Sequence, residues 1–180
     1  MATISLPSAG NLATRRTSFI LPPCQINPTQ LLPLVQFLTI YFTNPADGCK
    51  GLLFGIYGST NYIQIRELWH YLSTNYDTKL RWCILGDFNA ILLASEQLSF
   101  KHSWFVQDFQ HLILSSGLQD MGFTGNIFTW SNNRKGRACV AARLDTTLCS
   151  SKWYSSFNDP VLAHLSKVLF DHWPLFLSHK

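Results

Sequence analysis

One stretch constrains this chain more than any other: Trp82-Cys83-Ile84-Leu85-Gly86-Asp87-Phe88-Asn89. Its first half is a short continuous apolar run closed by glycine, the pattern of a strand buried on both faces. In extended backbone, residues two apart project to the same side. Asp87 and Asn89 therefore share a face where that strand ends. Open α/β sheets often place ligands at such strand ends. A carboxylate beside an amide can hold a hard cation or meet a phosphate oxygen. The same residues also read as a polar loop after a strand, with Asn89 capping the next turn. Taken alone, the stretch does not choose between the two.

The 180 residues suit one domain with a real core. With 47% hydrophobic and 13% charged residues, wholesale disorder is excluded. The net charge of +4 is compatible with a polyanionic partner without demanding one. Cys24, Cys49, Cys83, Cys139 and Cys149 form no C-x-x-C pair, and their odd count reads as free thiols in a reducing compartment. The apolar stretch 31–42 is broken by Pro33 and Gln36 and is too short to span a bilayer, so no membrane partner is expected.

Residues 1–30 differ from the rest. They contain Ser, Thr, Ala and Pro with Arg15 and Arg16, and no acidic residue precedes Asp47. Two readings fit: a transit-like leader for an organelle, or an unstructured leader. Residues 31–180 form the expected domain. A strand over 35–42, a turn at Asn44-Pro45-Ala46-Asp47-Gly48 and a strand over 52–57 read as an antiparallel hairpin. Ser59 or Thr60 then caps a helix whose Ile65, Leu68, Trp69 and Leu72 share one face. A second helix is expected over 104–116, with Phe105, Phe109, Leu112 and Ile113 inward and Gly117 as its C-terminal cap. Further strands are expected over 127–130, 139–148 and 161–165, with a short helix over 150–157. A basic turn, Ser131-Asn132-Asn133-Arg134-Lys135-Gly136-Arg137, lies between the first two of these strands.

The candidate chemical residues are Tyr57, Asp87, Asn89, Arg143, Asp145, Asp171 and His172. Each falls at or beside the end of an apolar run. Each also has a plain structural account: Tyr57 as a strand-end aromatic, Asp145 paired with Arg143 on a sheet face, His172 as a turn histidine.

The set in its order resembles a known superfamily. Gly86-Asp87-Phe88-Asn89 is similar to the G-D-F-N motif of the endonuclease/exonuclease/phosphatase superfamily. Arg143-Leu144-Asp145 with Leu148 and Ser150 resembles its R-L-D-x-x-L-x-S strand, and Asp171-His172-Trp173-Pro174-Leu175 its closing S-D-H-x-P-L motif. Tyr57-Gly58, Arg66 with Leu68-Trp69, Gly122-Phe123-Thr124-Gly125 and Phe128-Thr129-Trp130-Ser131-Asn132 are similar to plant LINE-type retrotransposon endonucleases. The resemblance implies an α+β fold: a four-layer α/β/β/α sandwich of two mostly antiparallel sheets flanked by helices. It implies hydrolysis of DNA phosphodiester bonds with Mg2+ or Mn2+, and a nuclear setting if the chain is retroelement-like. Asp87 and Asn89 would position the water and the scissile phosphate. His172 would stabilise the transition state or activate the water. Asp145 would orient His172, Asp171 would contribute to the metal site or its outer shell, and Tyr57 would hydrogen-bond a phosphate oxygen. Arg134, Lys135 and Arg137 with Trp130 offer phosphate contacts and a stacking surface for DNA.

Departures from the family pattern matter as well. The family's main metal ligand is a glutamate in an early strand, before the Tyr57 region, yet no glutamate here precedes Glu67. The expectation is therefore a domain lacking its first strands, with impaired metal binding, weak DNA contact and weak or no activity. Phe170 replaces the usual Ser before Asp-His, and Thr146 stands where a basic residue often follows R-L-D. The alternatives are a non-catalytic nucleic-acid-binding remnant and a phosphatase of small phosphoesters.

Overall fold

The structure is a computed structural model that describes residues 2–5, 18–21, 27–28, 37–43, 48, 50–76, 81–98, 104–157, 159–167 and 171–178. Its strands are β1 (Ala2–Ser5), β2 (Ser18–Leu21), β3 (Asn27–Pro28), β4 (Phe37–Thr43), β5 (Lys50–Tyr57), β6 (Trp82–Asp87), β7 (Leu118–Asp120), β8 (Thr124–Gly125), β9 (Trp130–Ser131), β10 (Ala141–Ala142), β11 (Asp145–Ser150), β12 (Val161–His164) and β13 (Leu175–Ser178). The helices are α1 (Tyr62–Asn75), α2 (Trp104–Ser115) and α3 (Ser151–Tyr154).

Six strands make the main sheet, in the order β3-β4-β5-β6-β11-β7. Only β5 and β6 run parallel in it; the other neighbours are antiparallel. Helix α1 returns the chain between β5 and β6, the kind of crossover that parallel pairing requires. A smaller sheet has the order β13-β12-β8, and β9–β10 and β1–β2 form separate antiparallel ribbons.

The expected hairpin of 35–42 and 52–57 is β4 and β5, paired from Phe37↔Ile56 to Thr43↔Lys50. Its turn at 44–47 lies outside the described residues, as do 168–170. Residues 1–30, read as a leader, contain the β1–β2 ribbon and β3; the rest of that stretch is not described.

Every residue of β6 is buried, because the main sheet is covered on both faces. On one face Trp82, Ile84 and Phe88 join Ile65, Leu68, Trp69 and Leu72 of α1 and Phe109 and Leu112 of α2. On the other, Cys83, Leu85 and Cys149 pack against Trp153 of α3 and Leu177 of the small sheet. The result is a layered α+β sandwich, with α1 and α2 outside the main sheet and the small sheet with α3 on its other face.

Several local expectations are corrected. The N-cap of α1 is Asn61, not Ser59 or Thr60: its side chain accepts from the backbone N–H of Ile63 and Gln64, while Ser59 Oγ accepts from Asn61 N. The strand expected over 127–130 is confined to Trp130–Ser131. The strand expected over 139–148 is two strands, broken at Arg143 and Leu144, because Arg143 is buried against acidic partners from elsewhere. Leu175–Ser178 forms a strand that the sequence reading missed.

Candidate active site

Three strand ends converge. Asp145 stands opposite Asp87 across β11 and β6, and Tyr57 stands opposite Asp87 across β5 and β6. Gly86 makes this close pairing feasible. Its φ is 132°, and a Cβ there would run into the carbonyl oxygen of Ile56. Only glycine occupies such a position without strain.

Asp87 is buried and its contacts are specific. Its carbonyl accepts from Gly58 N at 2.6 Å, and its Oδ1 accepts from Asn89 N at 2.9 Å. Asn89 sits in the left-handed region, with φ 46°. That conformation is costly for a side-chain-bearing residue and is often found where a site dictates it. Here it lets Asn89 Nδ2 donate to Gly58 O at 2.5 Å, tying the loop after β6 to the loop after β5. Gly58 is tight for the same reason, since a Cβ would lie 2.8 Å from Phe88 O.

His172 closes the site. Its Nδ1 lies 2.7 Å from Asp145 Oδ2, and its Nε2 lies 3.7 Å from Asp87 Oδ2. A carboxylate accepts, so Nδ1 carries the proton in the neutral ring and Nε2 faces Asp87. Asp145 is itself anchored, its N–H donating to Thr129 Oγ1 at 2.8 Å. Thr129 O accepts from Trp173 N at 2.8 Å, so one buried threonine aligns the strand of Asp145 with the segment of His172. Asp171 Oδ2 accepts the indole N–H of Trp130 at 3.2 Å, and Trp130 forms a backbone bridge with His172.

Asp87, Asp145 and His172 each offer one ligand atom, all within 4.8 Å of one another. Asp171 is not in that group. The donor set suits a hard divalent cation only in part. Asp145 Oδ2 accepts from His172, and Asp87 accepts from Asn89 on Oδ1 at 2.9 Å and on Oδ2 at 3.4 Å, so a cation would share each carboxylate with a donor already there. The trio offers the one or two carboxylates through which a hard divalent cation can bind.

The cationic residues Arg134, Lys135 and Arg137 are exposed in the loop between β9 and β10, beyond Trp130. Tyr57 is exposed at the rim. The plain structural account of Asp145, a pairing with Arg143, is not what the fold makes: Asp145 faces His172, and Arg143 is paired with Glu96 and Asp120. Arg143 Nη1 meets Glu96 Oε1 at 2.7 Å and Asp120 Oδ2 at 2.7 Å, with Nη2 on Asp120 Oδ1 at 2.8 Å. Its guanidinium also lies 4.6 Å above the ring of Phe123. Burial works against the Arg143 charge, but the hydrogen bonds and charges of Asp120 and Glu96 outweigh it and hold the guanidinium above its ordinary value. Glu96 Oε2 accepts from Leu92 N at 2.7 Å and Leu93 N at 3.2 Å. The buried Arg143–Glu96 pair, with the more exposed Asp120 as a second partner, pins the loop after Asn89 to the break before Asp145. Sequence reasoning gave no role to Glu96, which no local spacing announces, and named Thr129 only as part of Phe128-Thr129-Trp130-Ser131-Asn132.

No family model and no curated protein matches the sequence. Solved structures do match in fold. The endonuclease domain of TRAS1, a telomere-specific non-LTR retrotransposon, superposes with a TM-score of 0.61 at 15% identity, over 86% of this chain and 69% of that one. An AP endonuclease from Archaeoglobus fulgidus gives a TM-score of 0.53 at 16% identity, over 79% of this chain and 65% of that one. An endonuclease/exonuclease/phosphatase family protein from Bacteroides thetaiotaomicron gives 0.52 at 17% identity, over 77% of this chain and 53% of that one. This chain thus spans between about half and two thirds of the lengths of these three. The chain carries the fold of the endonuclease/exonuclease/phosphatase superfamily.

Proposed function

We propose that the cluster of Asp87, Asn89, Asp145 and His172 is a metal-assisted phosphodiesterase site of the retrotransposon-endonuclease type, acting on DNA. The observation that carries this reading is the line Asp145–His172–Asp87, with separations of 2.7 Å and 3.7 Å. Asp145 holds the Nδ1 proton of His172 and stabilises the imidazolium that forms if Nε2 takes a proton from water. Asp87 and Asn89 orient that water and the phosphate. Tyr57 at the rim donates to a phosphate oxygen. Asp87 would hold the cation, and Asp171, outside the trio of convergent ligand atoms, would act in its outer shell. A bound Mg2+ or Mn2+ supplies charge neutralisation to the phosphoryl oxygens. No glutamate precedes Glu67, which supports weak cation binding and weak turnover by this chain alone.

The test is nicking of supercoiled plasmid against hydrolysis of p-nitrophenyl phosphate, each titrated with Mg2+ and with Mn2+. The reading predicts slow nicking that EDTA abolishes and that still rises at the highest metal concentration. Preferential hydrolysis of the monoester would instead favour a phosphatase, and nicking indifferent to EDTA would overturn the metal role.

A second reading, DNA binding without cleavage, is favoured by the exposed Arg134, Lys135 and Arg137 beside Trp130. It predicts salt-dependent binding that neutralising all three cations removes. If binding is not detected at low salt, that reading fails.

A further inference from the structure

The β9–β10 ribbon carries the basic loop, but two-residue strands cannot hold a ribbon rigid on their own. Its base is tied to the rest of the fold by backbone bonds, among them Leu98 N to Ala141 O at 2.8 Å, and the loop beyond that base is held by side chains. Lys167, in the segment after β12, donates from Nζ to Ser131 Oγ at 2.8 Å and to Asn133 Oδ1 at 2.5 Å. Its ammonium also lies 4.3 Å over the ring of Trp173, the residue next to His172. Asn133 takes a left-handed φ of 57°, and that places its side chain where Lys167 meets it. Below this contact the ribbon and the His172 segment are joined by Ser131 N to Asp171 O at 3.0 Å and by the Trp130–His172 bridge.

We infer that Lys167 is a positioning residue: a clasp that fixes the ribbon bearing Arg134, Lys135 and Arg137 against the segment bearing His172. This rests on the reading of that ribbon as a polyanion-binding element. A lysine that contacted phosphate would present its donors to solvent. Lys167 instead has two hydrogen bonds and an aromatic face within the protein, with one face of Trp173 covered. It therefore sets the distance between the phosphate contacts and the hydrolytic residues without itself serving as a phosphate contact.

The test compares wild type, Lys167→Met and Lys167→Arg by amide hydrogen exchange and by DNA binding across a salt series. Arg retains the charge, the paired donors and the stacking on tryptophan. In Lys167→Met, exchange across residues 131–140 is expected to rise by roughly tenfold or more, the factor that losing hydrogen bonds to a charged group corresponds to, while exchange in β5, β6 and α1 stays as in wild type. Lys167→Arg restores protection. The slope of log affinity against log salt is expected to be the same in all three proteins. Unchanged exchange across 131–140 in Lys167→Met overturns the clasp. A salt slope reduced by about one overturns it too, because that marks a phosphate contact. If wild type does not bind DNA at low salt, the polyanion reading falls, and the exchange comparison alone decides the clasp.

Discussion

Replacing Arg143 by methionine should be among the most damaging single changes in this chain, although Arg143 does not touch the proposed reacting atoms. Its side chain is 3% exposed, and its partners Glu96 and Asp120 are 8% and 28% exposed. The two carboxylates respond differently to its loss. Asp120 can rehydrate, so its share is small. Glu96 keeps two backbone donors on Oε2 but leaves Oε1 buried without its cation. Breaking a buried ion pair on one side costs about 3–5 kcal/mol, and loss of stacking on Phe123 adds roughly 0.5–1 kcal/mol. With a urea m-value of about 2 kcal/mol/M, the midpoint should fall by about 1.8–3 M. Urea unfolding followed by tryptophan fluorescence measures this directly. The same substitution made in a Glu96→Gln background should cost at least about 1 kcal/mol less, since no buried charge is then stranded. A Lys at position 143 should recover only part of the loss, because a point charge cannot make the forked contact to Asp120. If Arg143→Met lies within about 1 kcal/mol of wild type, or adds independently to Glu96→Gln, then Arg143 and its two carboxylates do not hold the loop as described.

Three further outcomes follow from other parts of the fold. Gly86→Ala should cost at least about 3 kcal/mol or prevent folding, because of its φ and the Ile56 carbonyl in its path; expression and thermal melting comparable to wild type would contradict the geometry. His164 is buried, and burial holds its imidazole below the ordinary value of 6.5, with the Nδ1 bond to Asn126 O opposing that shift. A lowered folded value means that the unfolded chain binds the proton first, so stability should fall as pH drops through 6.5, and His164→Asn should flatten that part of the stability–pH curve; an unaltered curve would refute it. Burial pushes the Cys149 thiol up to about 12, so a variant with Cys149 as its sole thiol should react with a disulfide reagent at neutral pH only as fast as the protein opens, and rapid labelling without denaturant would refute that.

What the sequence disclosed and what it hid divide along physical lines. The buried strand at Trp82, the inward face of α1 and the β4–β5 hairpin were legible because apolar periodicity is local and each needs only its own residues. The grouping of Asp87, Asn89, Asp145 and His172 was legible through motif order, and the fold places these four residues side by side. The break between β10 and β11 was not, because its cause is long-range: Arg143 is held by residues 47 and 23 positions away. An alternating pattern through 139–148 cannot reveal that one of its polar members turns inward. The N-cap failed for a subtler reason. Ser59, Thr60 and Asn61 are all capable caps, and Ser59 is used to position Asn61 rather than to cap the helix itself. Lys167 was invisible because its partners lie 36 and 34 positions away, in a polar turn with no pattern of its own.

The measurement that bears most directly on the central claim is plasmid nicking by wild type, Asp87→Ala, Asp145→Asn and His172→Ala, purified identically and assayed in Mn2+. If these residues form one hydrolytic unit, wild type nicks slowly and each substitution lowers the rate by roughly a hundredfold or more, with the losses failing to add in combination. Nicking by any of the three variants at the wild-type rate would contradict the account.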